Sequence, residues 1–502
     1  MRRLASLTSA LALVTTACAG SAVLVVGDPA LNPEPPAPVL RIEVSAGDDQ
    51  SALAGAFLTV DRRVLITDEA GVVELEWGGQ PIQFAASAAG FETSAGSIAA
   101  YPEDGTAVDI TLEPLVLNGT VVGPDGRPLP ATTVTLNGES ALTDDSGRFA
   151  VSRALAGSIS AARPAWEPAS AVWDGEAPGL EIQMQPLDIH GLRVSGDKAA
   201  DADVWASLLE LADQSVVNAF VVDTKDETGW VYYETPIETV DEIGALNGNF
   251  SYDVDQIIAD MDAHDLYKIT RVTVFQDNFL AKANPDMAVT DTSTGGVWKN
   301  HKGIRWLDAT DRRSWEYPLA LAVNACEEGF DEIQFDYIRF PSDGDISTIQ
   351  VDGGYNEEVR TATILAFLEE AHSRLNPLGC AVAADIFAIT LTSDWDEGIG
   401  QRPEILSHAV DVLSPMIYTY TYARGWNGFA DPNEHPVELV SLALDSGIPR
   451  LEGHSIYRPW IQTWQLNADE INSVQRVVDE RDLGWMIWSA NTLYDMSFLA
   501  PE

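Results

Sequence analysis

The periodicity of hydrophobic and polar positions changes along this chain near Asp188. Before that point, short apolar runs alternate with polar residues at every second position, which predicts β-strands with one buried face. After it, short apolar runs alternate with longer stretches of helical periodicity. The pattern therefore predicts an all-β N-terminal part and an α/β C-terminal part.

The all-β part contains an internal repeat. Leu65–Leu75 matches Ala141–Val151, and each copy carries Thr-Asp-x-x-Gly between alternating apolar runs. Two copies of one small module explain the match, and we place them at 39–115 and 116–187. Each Thr-Asp-x-x-Gly is expected to form a hairpin turn.

The second copy resembles the carboxypeptidase-regulatory-like or transthyretin-like sandwich, through Asn118–Leu129 and the turn that follows. The resemblance implies a seven-strand β-sandwich that serves as a spacer or adhesive module. Carbohydrate binding by exposed aromatic residues, such as Trp77 or Trp173, is the alternative role. Neither copy shows a metal-binding or nucleophile pattern.

From Asp188 to Glu502, eight candidate strands alternate with helical stretches. The strands are Gly191–Val194, Ala219–Thr224, Ile269–Phe275, Glu332–Tyr337, Ala381–Phe387, Val410–Met416, Gly453–Tyr457 and Trp485–Trp488. This alternation is typical of a (β/α)8 TIM barrel at 188–502. A doubly wound open sheet is the alternative, but the sequence has no Gly-x-Gly-x-x-Gly at the first crossover and no phosphate-binding loop.

The fourth candidate strand carries the most specific chemistry. Gln334, Asp336 and Ile338 share one face of it, because side chains alternate along a strand. Asp336 lies near the C-terminal end of the strand, where parallel α/β folds carry their active sites. Pairing with Arg339 to close a loop is the structural alternative for Asp336.

Polar and aromatic residues also follow the other strands. Pyranose faces stack on aromatic rings, and charged groups hydrogen-bond to sugar hydroxyls, so these residues predict a sugar site at the barrel mouth. The candidate substrate-binding residues are Asp223, Lys225, Arg271, Asp277, Arg339, Tyr418, Arg458, Trp460, Gln462, Trp488 and Asn491.

The segment Gly329–Gly344 resembles the signature of the bacterial putative glycosyl hydrolase domain family. Further matches lie in Val274–Asp286, Asp385–Phe387, Asp411–Tyr418, Arg458–Gln462 and Trp488–Asn491. The resemblance extends from about Asp188 to the C-terminus and implies a glycosidase-like barrel distantly similar to the α-amylase superfamily. Two departures are Thr419–Tyr422, where Pro-Ser-His-Tyr is expected, and Ala388, where glycine is usual.

Glycoside hydrolysis needs two carboxyl groups flanking the scissile bond. Asp336 and Asp385 end neighbouring strands, and by analogy with amylase-like barrels we assign Asp336 as the nucleophile and Asp385 as the general acid of a retaining enzyme. Asp223 is the reserve candidate, and Arg339 and Arg271 are expected to orient Asp336. A non-catalytic carbohydrate-binding or scaffold lipoprotein with a glycosidase-like barrel is the alternative.

The N-terminus has the features of an export signal. Met1-Arg-Arg precedes an apolar run from Leu4 to Val14 and small residues that lead to Cys18. The last feature resembles a lipobox, which implies that residues 1–17 are removed and that Cys18 is lipidated; plain secretion is the alternative. A Pro-rich linker spans 18–38. We therefore expect a cell-surface or outer-envelope lipoprotein, attached to a membrane only through its lipid.

The net charge of −48 argues against nucleic acid as a partner and favours a neutral polysaccharide or oligosaccharide over an anionic one. We expect a monomer with no cofactor and no metal. Cys326 and Cys380 are expected to be buried thiols, with a single disulfide as the alternative. Calcium binding by the acidic loop Ser342–Asp352 is a further alternative, but its spacing does not fit the EF-hand pattern.

Overall fold

The computed structural model describes residues 39–100, 107–175 and 179–500. The predicted export signal, the lipidation site Cys18 and the Pro-rich linker lie outside these residues. The described residues fall into two compact units, one within Met1–Ala88 and Glu92–Glu113 and the other within Ala89–Phe91 and Pro114–Glu502. Among the helices of the described chain, none is both long enough and apolar enough to span a bilayer.

The described residues of the first unit form seven strands in two small sheets. The three-stranded sheet contains, in spatial order, Val72–Glu76, Val39–Ala46 and Val108–Leu112, and the four-stranded sheet contains Arg63–Ile66, Phe57–Val60, Ile82–Ser87 and Ser94–Ile98. The central strand Val39–Ala46 runs antiparallel to Val72–Glu76 and parallel to Val108–Leu112. Its alternate residues Leu40, Ile42 and Val44 are buried, as the period of two predicts.

The second module repeats this topology. Its three-stranded sheet contains Arg148–Val151, Leu117–Val122 and Leu180–Gln183, and its four-stranded sheet contains Glu139–Leu142, Thr133–Leu136, Gly157–Ala162 and Ala169–Trp173. The order of the seven strands along the chain maps onto the same positions in both modules. The sequence repeat is therefore a repeat of a β-sandwich.

The Thr-Asp-x-x-Gly turns are tight, but the prediction that they form hairpins was wrong. The Asp68 carboxylate accepts hydrogen bonds from the backbone within its turn, and Gly71 and Gly147 adopt φ of 75° and 69°. The strands flanking the first turn, Arg63–Ile66 and Val72–Glu76, belong to different sheets. The turn motif determines the local bend, whereas packing of the two layers determines the strand partner.

The aromatic residues proposed for sugar binding in the modules are buried. Trp77 is 4% exposed and Trp173 is 3% exposed. The Trp77 indole N–H donates to the carbonyl of Gln80 at 2.6 Å. Both rings are core residues, so the alternative that relied on their exposure was wrong.

The C-terminal part is a closed barrel of eight parallel strands, which confirms the predicted TIM barrel. The strands are β1 His190–Val194, β2 Ala219–Lys225, β3 Tyr267–Thr273, β4 Glu332–Asp336, β5 Ala381–Phe387, β6 Val412–Met416, β7 in two pieces at Ile456–Tyr457 and Trp460–Gln462, and β8 Trp485–Trp488. Pairing of β8 with β1 and of β5 with β6 closes the ring.

Helices surround the barrel and follow the predicted alternation. The α-helices are Gly196–Ala199, Ala202–Asp213, Glu238–Ile243, Val254–Ala263, Leu280–Ala283, Arg313–Glu328, Glu357–Leu375, Pro403–Leu406, Pro436–Gly447 and Ala468–Asp479. Gly329 ends the helix before β4 with φ of 113°, a conformation that favours glycine. On β4, Phe335 packs outward against Phe367, whereas Gln334 points inward and donates to Ser414.

The second module packs against the barrel floor, by which we mean the N-terminal ends of the strands and the side chains between them. Its apolar core continues into Ala381, Ala383 and Val412 of β5 and β6. Arg163 of the module donates to the carboxylate of Asp411 at 2.7 Å, and both side chains are fully buried. The module and the barrel therefore share one core.

Cys326 and Cys380 form a disulfide, so the expectation of two free thiols was wrong and its alternative is confirmed. The bond joins the end of helix Arg313–Glu328 to the residue preceding β5, across a sequence separation of 54 residues. Each cysteine taken alone has the apolar setting of a small core residue. Only the packing of that helix beside β5 brings the two sulfur atoms together.

Candidate active site

A cavity of about 740 Å3 lies at the C-terminal ends of the barrel strands. Carboxylates, cations and aromatic rings all contribute to its wall. The charged and aromatic lining residues include Glu227, Arg271, Lys302, Asp336, Tyr337, Arg339, Phe387, Tyr418, Tyr422, Trp426, Trp464 and Trp488. This is the end of the barrel at which the sequence predicted a sugar site.

Asp336 reaches the cavity from the end of β4 and is held by Arg271 of β3. The Arg271 Nε and Nη2 groups both donate to Asp336 Oδ2, at 2.9 and 2.7 Å. Asp336 Oδ1 accepts from the backbone N–H of Tyr337 at 2.6 Å, and Tyr337 adopts a left-handed φ of 51°. Strained backbone of this kind often lies at active sites, because the surrounding structure must impose it.

Arg271 also links Asp336 to two other carboxylates. Its Nη1 donates to Asp223 Oδ1 at 3.1 Å, and its Nη2 lies 3.4 Å from Glu227 Oε2. Arg193 of β1 donates to the second oxygen of Asp223. Burial raises the pKa of Asp223, and the two guanidinium groups offset this only in part. Asp223 therefore supports Arg271 from below rather than lining the cavity.

Asp385, on β5, is in a different environment from Asp336. It is 1% exposed, and its Oδ1 accepts from the indole N–H of Trp460 at 2.7 Å. Its Oδ2 has no hydrogen-bond partner in the part of the chain that the structure describes. Burial and then the negative charge of Asp336 raise the pKa of Asp385 well above its ordinary value. Asp336 thus lines the cavity and is paired with Arg271, whereas Asp385 is buried next to the cavity wall and has a raised pKa.

Aromatic rings form much of the cavity wall. Tyr418 packs edge-on to Trp464 with ring centroids 5.0 Å apart, and Tyr422 packs against Trp426 at 4.6 Å. Trp488 lies beneath the guanidinium groups of Arg193 and Arg271. Burial, followed by the charges of Asp385 and Asp336, raises the pKa of Tyr418. Such walls suit the apolar faces of sugar rings.

The structure separates Lys225 and Asp277 from the cavity. A register shift between Asp223 and Lys225 places Lys225 opposite Val272, so its side chain turns toward the helices while Asp223 stays inside the barrel. Lys225 pairs with Asp277 at 2.8 Å, and both are fully buried. The idea that Asp223 and Lys225 hold substrate together was therefore wrong, because the bulge puts them on opposite faces of β2.

Five other predicted residues also lie away from the cavity wall, and one of them is the buried Asp385. Trp460 is buried, and its indole N–H donates to Asp385. The Gln462 side-chain amide donates to Asn433 and to the carbonyl of Trp464, and its oxygen accepts from the backbone N–H of Tyr420. Asn491 is exposed in the loop that follows β8. Arg458 lies in the barrel floor, where it donates to both oxygens of Glu332. Arg458 was expected at the mouth because the sequence does not show that β7 is interrupted at Arg458-Pro459.

Arg339 does not orient Asp336 as expected, since Arg271 occupies that position. Its Nη1 donates instead to the carbonyl of Phe340 and to the hydroxyl of Ser342. The sequence could not distinguish the two arginines, because Arg339 is three residues from Asp336 while Arg271 comes from the preceding strand. Neighbouring strands in a barrel place distant residues side by side.

Several cavity residues were not selected from the sequence, notably Glu227, Lys302, Tyr422, Trp426 and Trp464. Glu227 lies just beyond the end of β2, four residues after Asp223. Its position after a strand was a signal that could have marked it. Although burial acts in the opposite direction, Arg271 lowers the pKa of Glu227. The loops between strands and helices carry Lys302, Tyr422 and Trp426. The strand pattern does not predict which loop residues face the cavity.

Metal-ligand types converge at one place in the described chain. His372, Asp411 and His454 offer atoms that lie within 4.8 Å of one another. They lie against the second module in the barrel floor, and Arg163 already pairs with Asp411. Burial and the charge of Arg163 lower the pKa of His454 to about 3, so this imidazole is neutral near pH 7. The buried ion pair accounts for this cluster.

The loop proposed for calcium is arranged differently. Asp345 accepts from the backbone and the hydroxyl of Ser347 within its own turn, and the Asp352 N–H donates to Asp308. Within the described ranges, this loop does not form a group of three or more converging acidic or imidazole ligand atoms.

Ala388, the second departure from the family pattern, follows Phe387 without a left-handed φ, so this position does not require glycine.

The fold and the cavity define a glycosidase-type (β/α)8 barrel. The family described as "Putative glycosyl hydrolase domain" matches residues 191–494, and the chain therefore belongs to this family. A comparison with curated protein sequences finds no match.

Solved structures also resemble the chain. A hypothetical protein from Ruminiclostridium thermocellum is 34% identical, over 39% of this chain and 96% of that protein, with a TM-score of 0.36. The PgaB (BpsB) glycoside hydrolase domain from Bordetella bronchiseptica is 12% identical over 61% and 95%, with a TM-score of 0.45. The PelA glycoside hydrolase domain from Pseudomonas aeruginosa is 10% identical over 61% and 96%, with a TM-score of 0.36.

Proposed function

We propose that this protein is an exported glycoside hydrolase that cleaves O-glycosidic bonds in an extracellular or envelope polysaccharide. The contrast between Asp336 and Asp385 carries the proposal. Arg271 pairs with the first, whereas burial and its acidic neighbour raise the pKa of the second. Glycosidases need such a division between an ionised carboxylate and a protonated carboxyl group.

In the proposed reaction, Asp336 attacks the anomeric carbon while Asp385 gives its proton to the departing glycosidic oxygen. The products of this step are a glycosyl ester on Asp336 and a free alcohol. Asp385, now a carboxylate, takes a proton from water, and the resulting hydroxide cleaves the ester with net retention. Arg271 stabilises the Asp336 carboxylate before attack and after its release.

Aromatic stacking supports a polysaccharide as the substrate. Tyr418, Trp464, Trp426 and Trp488 offer several ring faces along one cavity, which suits binding of more than one sugar unit. The β-sandwich modules are proposed to act as spacers of the carboxypeptidase-regulatory-like type, because the described part of each has seven strands and supplies no residue to this cavity.

Export is part of the proposal. The Cys326–Cys380 disulfide supports it, because disulfides persist in oxidising compartments and are rare in the cytosol. Lipidation at Cys18 follows from the lipobox-like sequence. Mass spectrometry of the N-terminal peptide, isolated from the native host, tests it: a diacylglyceryl-modified Cys18 is expected, and an unmodified mature N-terminus would favour secretion.

The function is tested by incubating the protein without residues 1–17 with a panel of bacterial envelope and extracellular glycans. New reducing ends are expected with at least one glycan, and none with the Asp336→Asn variant. If the folded protein binds a glycan but cuts none in the panel, the non-catalytic binding or scaffold role replaces the enzyme.

A further inference from the structure

Arg339 lines the cavity and is held in place before any ligand arrives. The residue is 7% exposed, and its guanidinium group stacks on three aromatic rings. The guanidinium carbon lies 4.5 Å from the ring centroid of Phe387, 4.9 Å from that of Trp306 and 5.1 Å from that of Tyr337. Its Nη1 is anchored to Phe340 and Ser342. Stacking and anchoring restrict the side chain, so little rotamer entropy remains to be lost on binding.

The Nε–Nη2 edge of Arg339 is unoccupied. Among the described residues, neither nitrogen has a hydrogen-bond partner, and the side chain forms no ion pair with a carboxylate. The same edge is used elsewhere in this protein. Arg360 donates from Nε and Nη2 to Asp396, and Arg271 donates from Nε and Nη2 to Asp336. A planar guanidinium edge of this kind matches the geometry of a carboxylate.

The charge balance of the cavity points in the same direction. Its two lining carboxylates, Glu227 and Asp336, both interact with Arg271. In the described ranges, Arg339 forms no ion pair with a carboxylate, and neither does Lys302 at the exposed rim. Burial lowers the pKa of Arg339, and the charges of Asp336 and Asp343, which do not pair with it, offset this only in part. A buried cation in this state gains most from an incoming anion.

We propose that the substrate is an anionic glycan, and that Arg339 binds the carboxylate of a uronic acid unit through its Nε–Nη2 edge. This inference rests on the proposed function for the sugar itself and adds its charge. It revises the expectation of a neutral ligand, which came from the net charge of −48. Distant surface charges are screened beyond about 8 Å at physiological ionic strength, whereas Arg339 would contact the ligand directly.

Binding of sugars that differ at C6, compared within the glucose series and within the galactose series, tests the inference. Glucuronic acid, galacturonic acid, glucose 6-sulfate, glucose and galactose are titrated into the Asp336→Asn variant, and binding is followed by NMR. Each uronic acid is expected to bind about tenfold more tightly than its neutral hexose, as expected for a charge-assisted, two-point contact. A stronger preference for the sulfate ester would overturn the assignment to a carboxylate.

Variants of Arg339 locate the effect. In the Asp336→Asn background, Arg339→Gln should abolish the preference for the uronic acid, and Arg339→Lys should keep only part of it, since a lysine lacks the planar edge. Arg374→Gln is the matched control, because Arg374 lies at the end of helix Glu357–Leu375 and pairs with Glu316 and Glu370. Circular dichroism confirms that each variant is folded.

Equal binding of uronic acid and hexose, or a preference that survives Arg339→Gln, would overturn the inference. Its failure is distinguishable from failure of the proposed function. Hydrolysis of a neutral glycan without any preference for anionic sugars would retain the enzyme and reject the role of Arg339. Tighter binding of uronic acids without hydrolysis of any glycan would retain the role of Arg339 and reject the proposed hydrolase.

Discussion

Arg271 donates two hydrogen bonds to a single oxygen of Asp336, from Nε at 2.9 Å and from Nη2 at 2.7 Å. The other oxygen accepts from the backbone N–H of Tyr337. These three donors hold the carboxylate in one orientation at the edge of the cavity. Both oxygens of Asp336 therefore accept hydrogen bonds at the point where a nucleophile would meet a sugar in the cavity.

Replacing Asp336 by Asn should abolish hydrolysis while leaving the fold intact. The amide cannot form the glycosyl ester, so kcat should fall by a factor on the order of 10⁴ or more. The measurement is the initial rate of release of reducing ends from the glycan identified in the panel. Asp255→Asn, at an exposed helix position, serves as the matched control and should retain full activity. A folded Asp336→Asn variant with normal kcat would exclude the assigned nucleophile.

Replacing Asp385 by Asn should affect activity according to the leaving group. General acid catalysis contributes about 10²–10⁴-fold, so hydrolysis of the natural glycan should slow by that range. Aryl glycosides with acidic phenol leaving groups need little protonation and should lose much less. The ratio of the two rate losses, measured as kcat/KM, checks the role. Equal losses on both substrates would argue against Asp385 as the acid.

The same substitution should change how stability depends on pH. Burial and the charge of Asp336 raise the pKa of Asp385 in the folded state, so the folded protein binds this proton more tightly than the unfolded chain does. Stability from this group is present below the unfolded value of about 4 and is lost as pH rises toward the raised pKa.

Asp385→Asn is expected to remove this loss and to keep the acceptor for the Trp460 indole. The variant should therefore unfold at a higher denaturant concentration than wild type at pH 7, and at a similar one at pH 3. Urea titrations at both pH values check the prediction. An unchanged difference between wild type and variant at the two pH values would contradict it.

Arg271→Gln should destabilise the barrel strongly. The change leaves Asp223, Asp336 and Glu227 close together with one cation fewer, and breaking a buried ion pair typically costs about 3–5 kcal/mol. The free energy of unfolding from urea denaturation measures the loss. Arg481→Gln, which breaks the surface pair with Asp445, should cost less than about 1 kcal/mol. Similar losses for both variants would contradict the network.

Removing the disulfide should lower stability by about 2–4 kcal/mol, because the bond closes a long loop in the unfolded chain. The double change Cys326→Ser and Cys380→Ser is compared with wild type by urea denaturation in oxidising and in reducing buffer. Wild type in reducing buffer should approach the variant. A wild type that is insensitive to reductant under unfolding conditions would argue that the bond does not form.

Most of the architecture could be predicted from the sequence. Periodicity of two and of 3.6 residues located the eight strands and most of the helices, because burial of one face imposes these periods on any chain. The Thr-Asp-x-x-Gly repeat revealed two modules of one topology, since the same local turn recurs at the same place. Asp336 and Tyr418 also followed from position, because strand ends of a parallel barrel meet at one mouth.

The contacts between side chains could not be predicted in this way, because they depend on the packed barrel. The bulge in β2 turned Lys225 away from Asp223, and the interruption of β7 placed Arg458 in the floor. Asp336 pairs with Arg271 rather than with Arg339, although Arg339 is nearer in the sequence. The Nε–Nη2 edge of Arg339 therefore remains free in the cavity. Sequence periodicity encodes which face is buried, but strand register and bulges set the contacts between residues far apart in the chain, and these depend on packing of the whole barrel.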